Sequence, residues 1–97
     1  MNDDVPELAP ADFERAISSR LRKRIEDGHF ESGADITAIR RFVGLTQAEF
    51  AEASGVSVET VQDWEQGRSI PAGPAVSLLR IAARHPGVFR ENVSSVA

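Results

Sequence analysis

Apolar residues along this chain recur every three or four positions, and no stretch alternates apolar with polar side chains, a rhythm that predicts helices and no strand. Phe13, Ile17, Leu21 and Ile25 stand four apart with Ala16 beside them, predicting an amphipathic helix capped by Asp12 and ending near Gly28. The segment from His29 to Ala34 carries Ser32 and Gly33 and reads as a hinge. Asp35 then caps a short helix with Ile36, Ile39, Phe42 and Val43 inward, and Gly44 ends it. Thr46 caps the next helix over 47–53, with Glu49 three residues on completing a capping box. After the turn Ser54, Gly55 and Val56, Ser57 caps a helix over 58–66, which Gly67 closes. Pro74 suits the first position of a helix through Arg84, with Val76, Leu79, Ile81 and Ala82 available for the core. His85, Pro86 and Gly87 close that helix, and residues 88–93 have room for a further turn.

Ahead of these elements, Met1 to Ala11 holds three acids, two prolines and little periodicity, the pattern of an extended arm. The expected organisation is therefore an arm over 1–11, an amphipathic helix and hinge over 12–34, and a helical domain over 35–97. The class is all-α, a bundle of about five helices with one more at the N-terminal side.

Composition narrows what such a bundle does. At 97 residues the chain holds one compact domain, and so small a core favours help from a second subunit, so an obligate or near-obligate dimer is expected. Zero cysteines exclude thiolate metal sites and disulfides, and the two histidines, His29 and His85, lie too far apart along the chain to suggest a metal cluster. No metal or other cofactor is expected. The start MNDDVPELAP is acidic, unlike a secretory signal, and no apolar run approaches 18 residues, which points to a cytoplasmic protein without a membrane span. With 11 basic against 15 acidic residues the net charge is −4, so no global cationic field draws the chain to nucleic acid, and any contact with DNA must be local. Neither a nucleophile with its base nor a pair of carboxylates in a pocket is suggested, which argues against an enzyme.

The segment from Gln47 to Gln66 is the most informative. Phe50, Val56, Val61 and Trp64 form one interlocked apolar set, small Ala51 permits two helices to approach closely, and Gly55 sits where the turn needs a positive φ. Together they describe a helix-turn-helix, in which Phe50 and Trp64 are core residues.

The stretch GLTQAEFAEASGVSVETVQDWEQGRSIP resembles the helix-turn-helix of the phage-repressor-like regulators, the Xre or Cro/C1 type, over roughly residues 36–84. The extension GPAVSLLRIAARHP is further similar to antitoxins of the HigA type, whose partners are toxins that cleave messenger RNA at the ribosome. Ser54 departs from the pattern, which has a larger apolar residue there, and a looser turn is expected. The resemblance implies an autorepressing transcriptional regulator that puts helix 58–66 into the major groove of double-stranded DNA, as a homodimer on an inverted repeat. Val58, Glu59, Gln62 and Asp63 would then face the bases: Val58 toward a thymine methyl, Gln62 toward adenine, Glu59 toward a cytosine amino group. Gln47, Ser57, Thr60 and Arg68 would meet phosphate. Arg40 and Glu65 resemble a family pair that orients helices rather than touching DNA.

A second reading takes residues 1–28 as a protein-binding element. The stripe Phe13, Ile17, Leu21 and Ile25 has the spacing of a helix that docks in a partner's groove, and equally of one that covers the chain's own core. The acids Asp3, Asp4 and Glu7 suit a basic, RNA-cleaving toxin. For dimerisation two surfaces compete: that same stripe, or Val88, Phe89 and Val93 near the C-terminus.

Overall fold

The computed structural model describes residues 17–93, and among them every regular element is a helix. The order is α1 (Ser19–Glu26), α2 (Gly33–Val43), α3 (Gln47–Ser54), α4 (Val58–Gln66), α5 (Pro74–Arg84) and α6 (Pro86–Arg90). The all-α bundle expected from the periodicity is what forms.

Several boundaries are written by hydrogen bonds that the sequence announces. Thr46 Oγ1 accepts the Glu49 N–H at 3.1 Å while Glu49 Oε1 accepts the Thr46 N–H at 2.9 Å, a complete capping box. Ser57 caps α4 by accepting the Thr60 N–H at 3.1 Å. Gly44 ends α2 with φ 88°. Pro74 lies at the start of α5, where its missing N–H costs nothing.

Other boundaries move. The first helix does not run continuously from Asp12: Ser18 is extended, with ψ 154°, and its hydroxyl caps α1 by accepting the Leu21 N–H. Asp12 and Phe13 lie outside the described residues. At α2 the cap is Ser32 rather than Asp35, and Gly33 is already helical, so the expected hinge is only a short connection. Asp35 instead turns inward, where it accepts 2.8 Å hydrogen bonds from Arg24 Nη2 and from the Glu31 N–H. A buried carboxylate needs such partners, and this one bolts α1 to α2. Pro86 and Gly87 do not merely close α5; Pro86 opens α6.

One core joins the elements: Ile25 from α1, Ile36, Ile39 and Val43 from α2, Phe50 and Ala51 from α3, Val61 and Trp64 from α4, Leu79 and Ala82 from α5, and Phe89 and Val93. Helix α1 lies mainly against α5, and α4 lies against both α2 and α3. The Phe50 and Phe89 rings meet at 5.2 Å between centroids. At the end of α6, Arg90 Nη1 donates to the Val43 carbonyl at 2.9 Å, and just past it Asn92 Nδ2 donates to the Ala53 carbonyl at 2.8 Å, satisfying late carbonyls of α2 and α3.

Burial decides between readings that the sequence left open and corrects others. Ile25 is fully buried and Ile17 and Leu21, partly buried, pack against the same core, so this part of the stripe covers the chain's own interior. Phe89 and Val93 are likewise core residues, 3% and 2% exposed, which leaves Val88 as the exposed member of the C-terminal set at 58%. Ile81, expected inside, is 39% exposed. Phe42 is only half-buried, beneath the Arg22 guanidinium at 5.5 Å from the ring centre.

Candidate nucleic-acid interface

Helices α3 and α4 are separated by three residues, and the turn between them is tight. Gly55 takes φ 75°, its N–H donates to the Glu52 carbonyl at 3.1 Å, and the Val56 N–H reaches back to Ala51 at 3.0 Å. These are the two bonds of a Schellman ending, which requires the left-handed conformation that glycine adopts without strain. The looser turn expected at Ser54 is absent. What Ser54 brings instead is a hydroxyl buried at 4% residue exposure with no hydrogen-bond partner.

Val61 and Trp64 bury one side of α4, so its helical period turns Glu59, Gln62, Asp63 and Gln66 the other way. Glu59 and Gln66 are exposed, and Gln62 and Asp63 are half-buried. Gln66 was not among the residues singled out from sequence, although its spacing of seven from Glu59 places it on the same face. Val58 is half-buried and leans on the core. Ser57 Oγ and Thr60 Oγ1 lie 3.0 Å apart at the N-terminal tip, so Thr60 belongs to the cap rather than to the outer face.

The underside of α4 is held by a chain of polar contacts across three helices. Arg40 of α2 grips Glu65 with two bonds, Nε to Oε2 at 2.6 Å and Nη2 to Oε1 at 3.3 Å, and spends Nη1 on the Leu45 carbonyl at 3.1 Å. The helix-orienting pair expected from the resemblance therefore forms. Gln47, the first residue of α3, donates to Glu65 Oε1 at 3.0 Å and accepts from Gln62 Nε2 at 3.4 Å. Burial alone would raise the Glu65 carboxyl, but hydrogen bonds from Arg40, Gln47 and Thr37 and the Arg40 charge together hold it below the usual carboxylate range. Gln62 is thus oriented from below while keeping its side-chain oxygen and one N–H, the pair an adenine edge requires.

Close backbone approach completes the clamp. A Cβ on Gly33 would collide with the Glu65 and Trp64 carbonyls, so the start of α2 abuts the end of α4. Beyond α4, the exposed Arg68 guanidinium stands 3.7 Å from Asp63 Oδ1, and its backbone N–H donates to the Asp63 carbonyl at 2.8 Å. The structure gathers Gln47, Gln62 and Glu65 into one network and Asp63 with Arg68 into another. Among the described residues no cluster of three potential metal ligands occurs, and no helix is long and apolar enough to cross a membrane.

Two short capped helices on a three-residue turn, the second locked from beneath and polar on its outer face, define a helix-turn-helix protein. The chain belongs to the MqsA antitoxin family: residues 6–92 match the family described as the antitoxin component of the bacterial toxin-antitoxin system MqsA. It is 40% identical to antitoxin HigA-2 of Vibrio cholerae over 63 residues, which cover 65% of this chain and 57% of that protein. It is 32% identical to the HTH-type transcriptional regulator YiaG of Escherichia coli over 60 residues, 62% of each chain. The chain thus spans less than two thirds of the length of these curated relatives. No solved structure matches it. The resemblance to helix-turn-helix antitoxins read from the sequence holds.

Proposed function

We propose that this protein is a sequence-specific DNA-binding antitoxin that represses its own operon as a homodimer, with α4 in the major groove of an inverted repeat. The observation that carries this reading is the contact chain from Arg40 through Glu65 and Gln47 to Gln62, which fixes α4 from below and leaves its outer face unencumbered. Preorganised side chains lose little freedom when they meet a base edge. In this reading Gln62 reads adenine, Glu59 accepts from a cytosine amino group, and Val58 meets a thymine methyl at the rim of the groove. Asp63, paired with Arg68, serves better as an acceptor for cytosine than as a free charge beside phosphate. Ser57 and Thr60 offer hydroxyls and first-turn amides to phosphate, Gln47 adds its amide, and the exposed Arg68 guanidinium, still beside Asp63, adds a cation for the backbone.

The role is regulatory and non-catalytic, exercised in the cytoplasm. Because Ile25 is core, neutralisation of an RNA-cleaving toxin falls to residues 1–16 of the stretch first considered, where Asp3, Asp4 and Glu7 suit a basic partner.

The test is a fluorescence-anisotropy titration of the protein on its own upstream DNA and on random duplex at two salt concentrations, beside the double variant Glu59→Ala with Gln62→Ala. Preference for the upstream DNA, lost in the variant with its fold intact, is the expected result. Equal affinity of the native protein for both duplexes would overturn it.

A further inference from the structure

An amide side chain carries an acceptor oxygen on one side and a donor NH2 on the other, and its neighbours settle which points where. Beneath α4 those neighbours are ordered from one end. The Glu65 carboxylate, ionised beside Arg40, can only accept. Arg40 Nε takes its Oε2 at 2.6 Å, and its Oε1 faces Gln47 at 3.0 Å. Gln47 must therefore turn its NH2 to Glu65, which leaves its own oxygen facing Gln62 Nε2 at 3.4 Å. Gln62 gives one N–H to that oxygen and keeps an oxygen and one N–H for the outer face.

The reverse order would leave a different face. Were Gln47 to present its NH2 to Gln62, the Gln62 oxygen would accept it, and both N–H bonds of Gln62 would point outward. An oxygen with an N–H matches adenine, whose major-groove edge pairs the N6 donor with the N7 acceptor. Two N–H bonds match guanine, whose O6 and N7 both accept. The polarity of the chain thus chooses between the two purines. Given the DNA-binding function proposed above, on which this assignment rests, we infer that Glu65 is a specificity-determining residue that touches no base: its carboxylate, acting through Gln47, makes Gln62 read adenine rather than guanine. Its side chain is only 8% exposed, so it acts as a positioning residue from beneath the reading face.

Glu65→Gln isolates polarity, because it keeps size and shape. Arg40 Nε makes the shorter of the two contacts and needs an acceptor there, so the new carbonyl oxygen takes the place of Oε2 and the new NH2 that of Oε1. Gln47 then meets a donor where it had an acceptor. It turns its oxygen inward and its NH2 to Gln62, and the Gln62 amide reverses. Thr37 also bonds the Glu65 carboxylate, but a hydroxyl turns to suit either atom.

Anisotropy titrations of the full chain test this on its own upstream DNA and on duplexes in which each A·T pair in turn becomes G·C with the purine on the same strand. The pair read by Gln62 is the one whose preference Gln62→Ala abolishes. There the native protein is expected to favour adenine by about tenfold and Glu65→Gln to favour guanine, with preferences at other pairs kept. Gln47→Ala leaves the Arg40–Glu65 pair in place and removes the link, so it should bring the ratio close to one, and it decides the matter if Glu65→Gln does not fold by far-UV circular dichroism. An adenine preference that survives unchanged in either variant overturns the inference, as does a native preference that Gln62→Ala leaves intact at every pair. Loss of preference at every pair together in a folded Glu65→Gln protein also overturns it, since Glu65 would then merely set the pose of α4. The proposed function fails separately: a native protein with no preference at any pair refutes the DNA reading, and this inference with it.

Discussion

Ser54 concentrates a conflict between local fit and chemistry. Its position closes α3 against the core, yet its hydroxyl is buried without a partner. An unsatisfied buried hydroxyl costs about 1–3 kcal/mol, whereas a methyl in its place costs nothing in hydrogen bonding. Ser54→Ala should therefore stabilise the protein by about 1 kcal/mol in urea denaturation, with the turn geometry unchanged. Glu65 is the opposite case, a half-buried carboxylate whose partners are all in place. With its folded pKa depressed, its contribution is fully present above the unfolded value of about 4.3 and disappears as pH falls through the lower folded value. Stability should hold from neutrality down to about pH 5 as far as this group is concerned and decline below about pH 4. Glu65→Gln should cost about 2 kcal/mol at neutral pH and shallow that acid limb, as read from thermal melts across pH 3–7.

Between elements, the decisive contact is the one where α2 meets α4. Gly33 is required there by space: its missing Cβ admits the Glu65 and Trp64 carbonyls. Backbone cannot retreat as a flexible side chain can, so Gly33→Ala should destabilise the fold by about 1–3 kcal/mol in chemical denaturation, despite alanine's better helix propensity. A gain in stability from that substitution would show that α2 shifts freely on α4. Since the same contact sets the pose of α4, the variant should also lose DNA affinity under the proposed function. The caps act at the same scale but locally: Thr46 and Ser57 define where α3 and α4 begin, and the Schellman turn at Gly55 sets the angle at which one leads into the other.

For the whole molecule, charge is the governing quantity. Under the proposed function, a net −4 means that attraction to DNA would come from a few cations and helix-start amides on one face, against a repelling background. The salt dependence of operator binding should therefore be modest for a DNA-binding dimer. Arg68→Ala should lower the slope of log K against log salt by about one per subunit while leaving sequence preference in place, a difference measurable in the same anisotropy titrations. A loss of preference without a change in slope would move Arg68 from the phosphate backbone to the bases.

What the sequence determined by itself was whatever depends on neighbours along the chain. The helical period, the capping box at Thr46 and Glu49, the caps at Ser57 and Gly44, and the spacing that makes α3 and α4 a helix-turn-helix all act within a few residues, and all were legible. The outer face of α4 followed from the same period, though Gln66 was overlooked on it. The Arg40 to Glu65 pair could be anticipated only through resemblance, because nothing local joins two residues 25 apart. Tertiary structure alone decided the rest. Whether the stripe through Ile17, Leu21 and Ile25 covers core or greets a partner depends on whether α5 lies beneath it, and it does. Whether Phe89 or Val88 is exposed depends on how α6 seats against Phe50. An amphipathic pattern states that a face must be buried; only the packing of distant elements states against what.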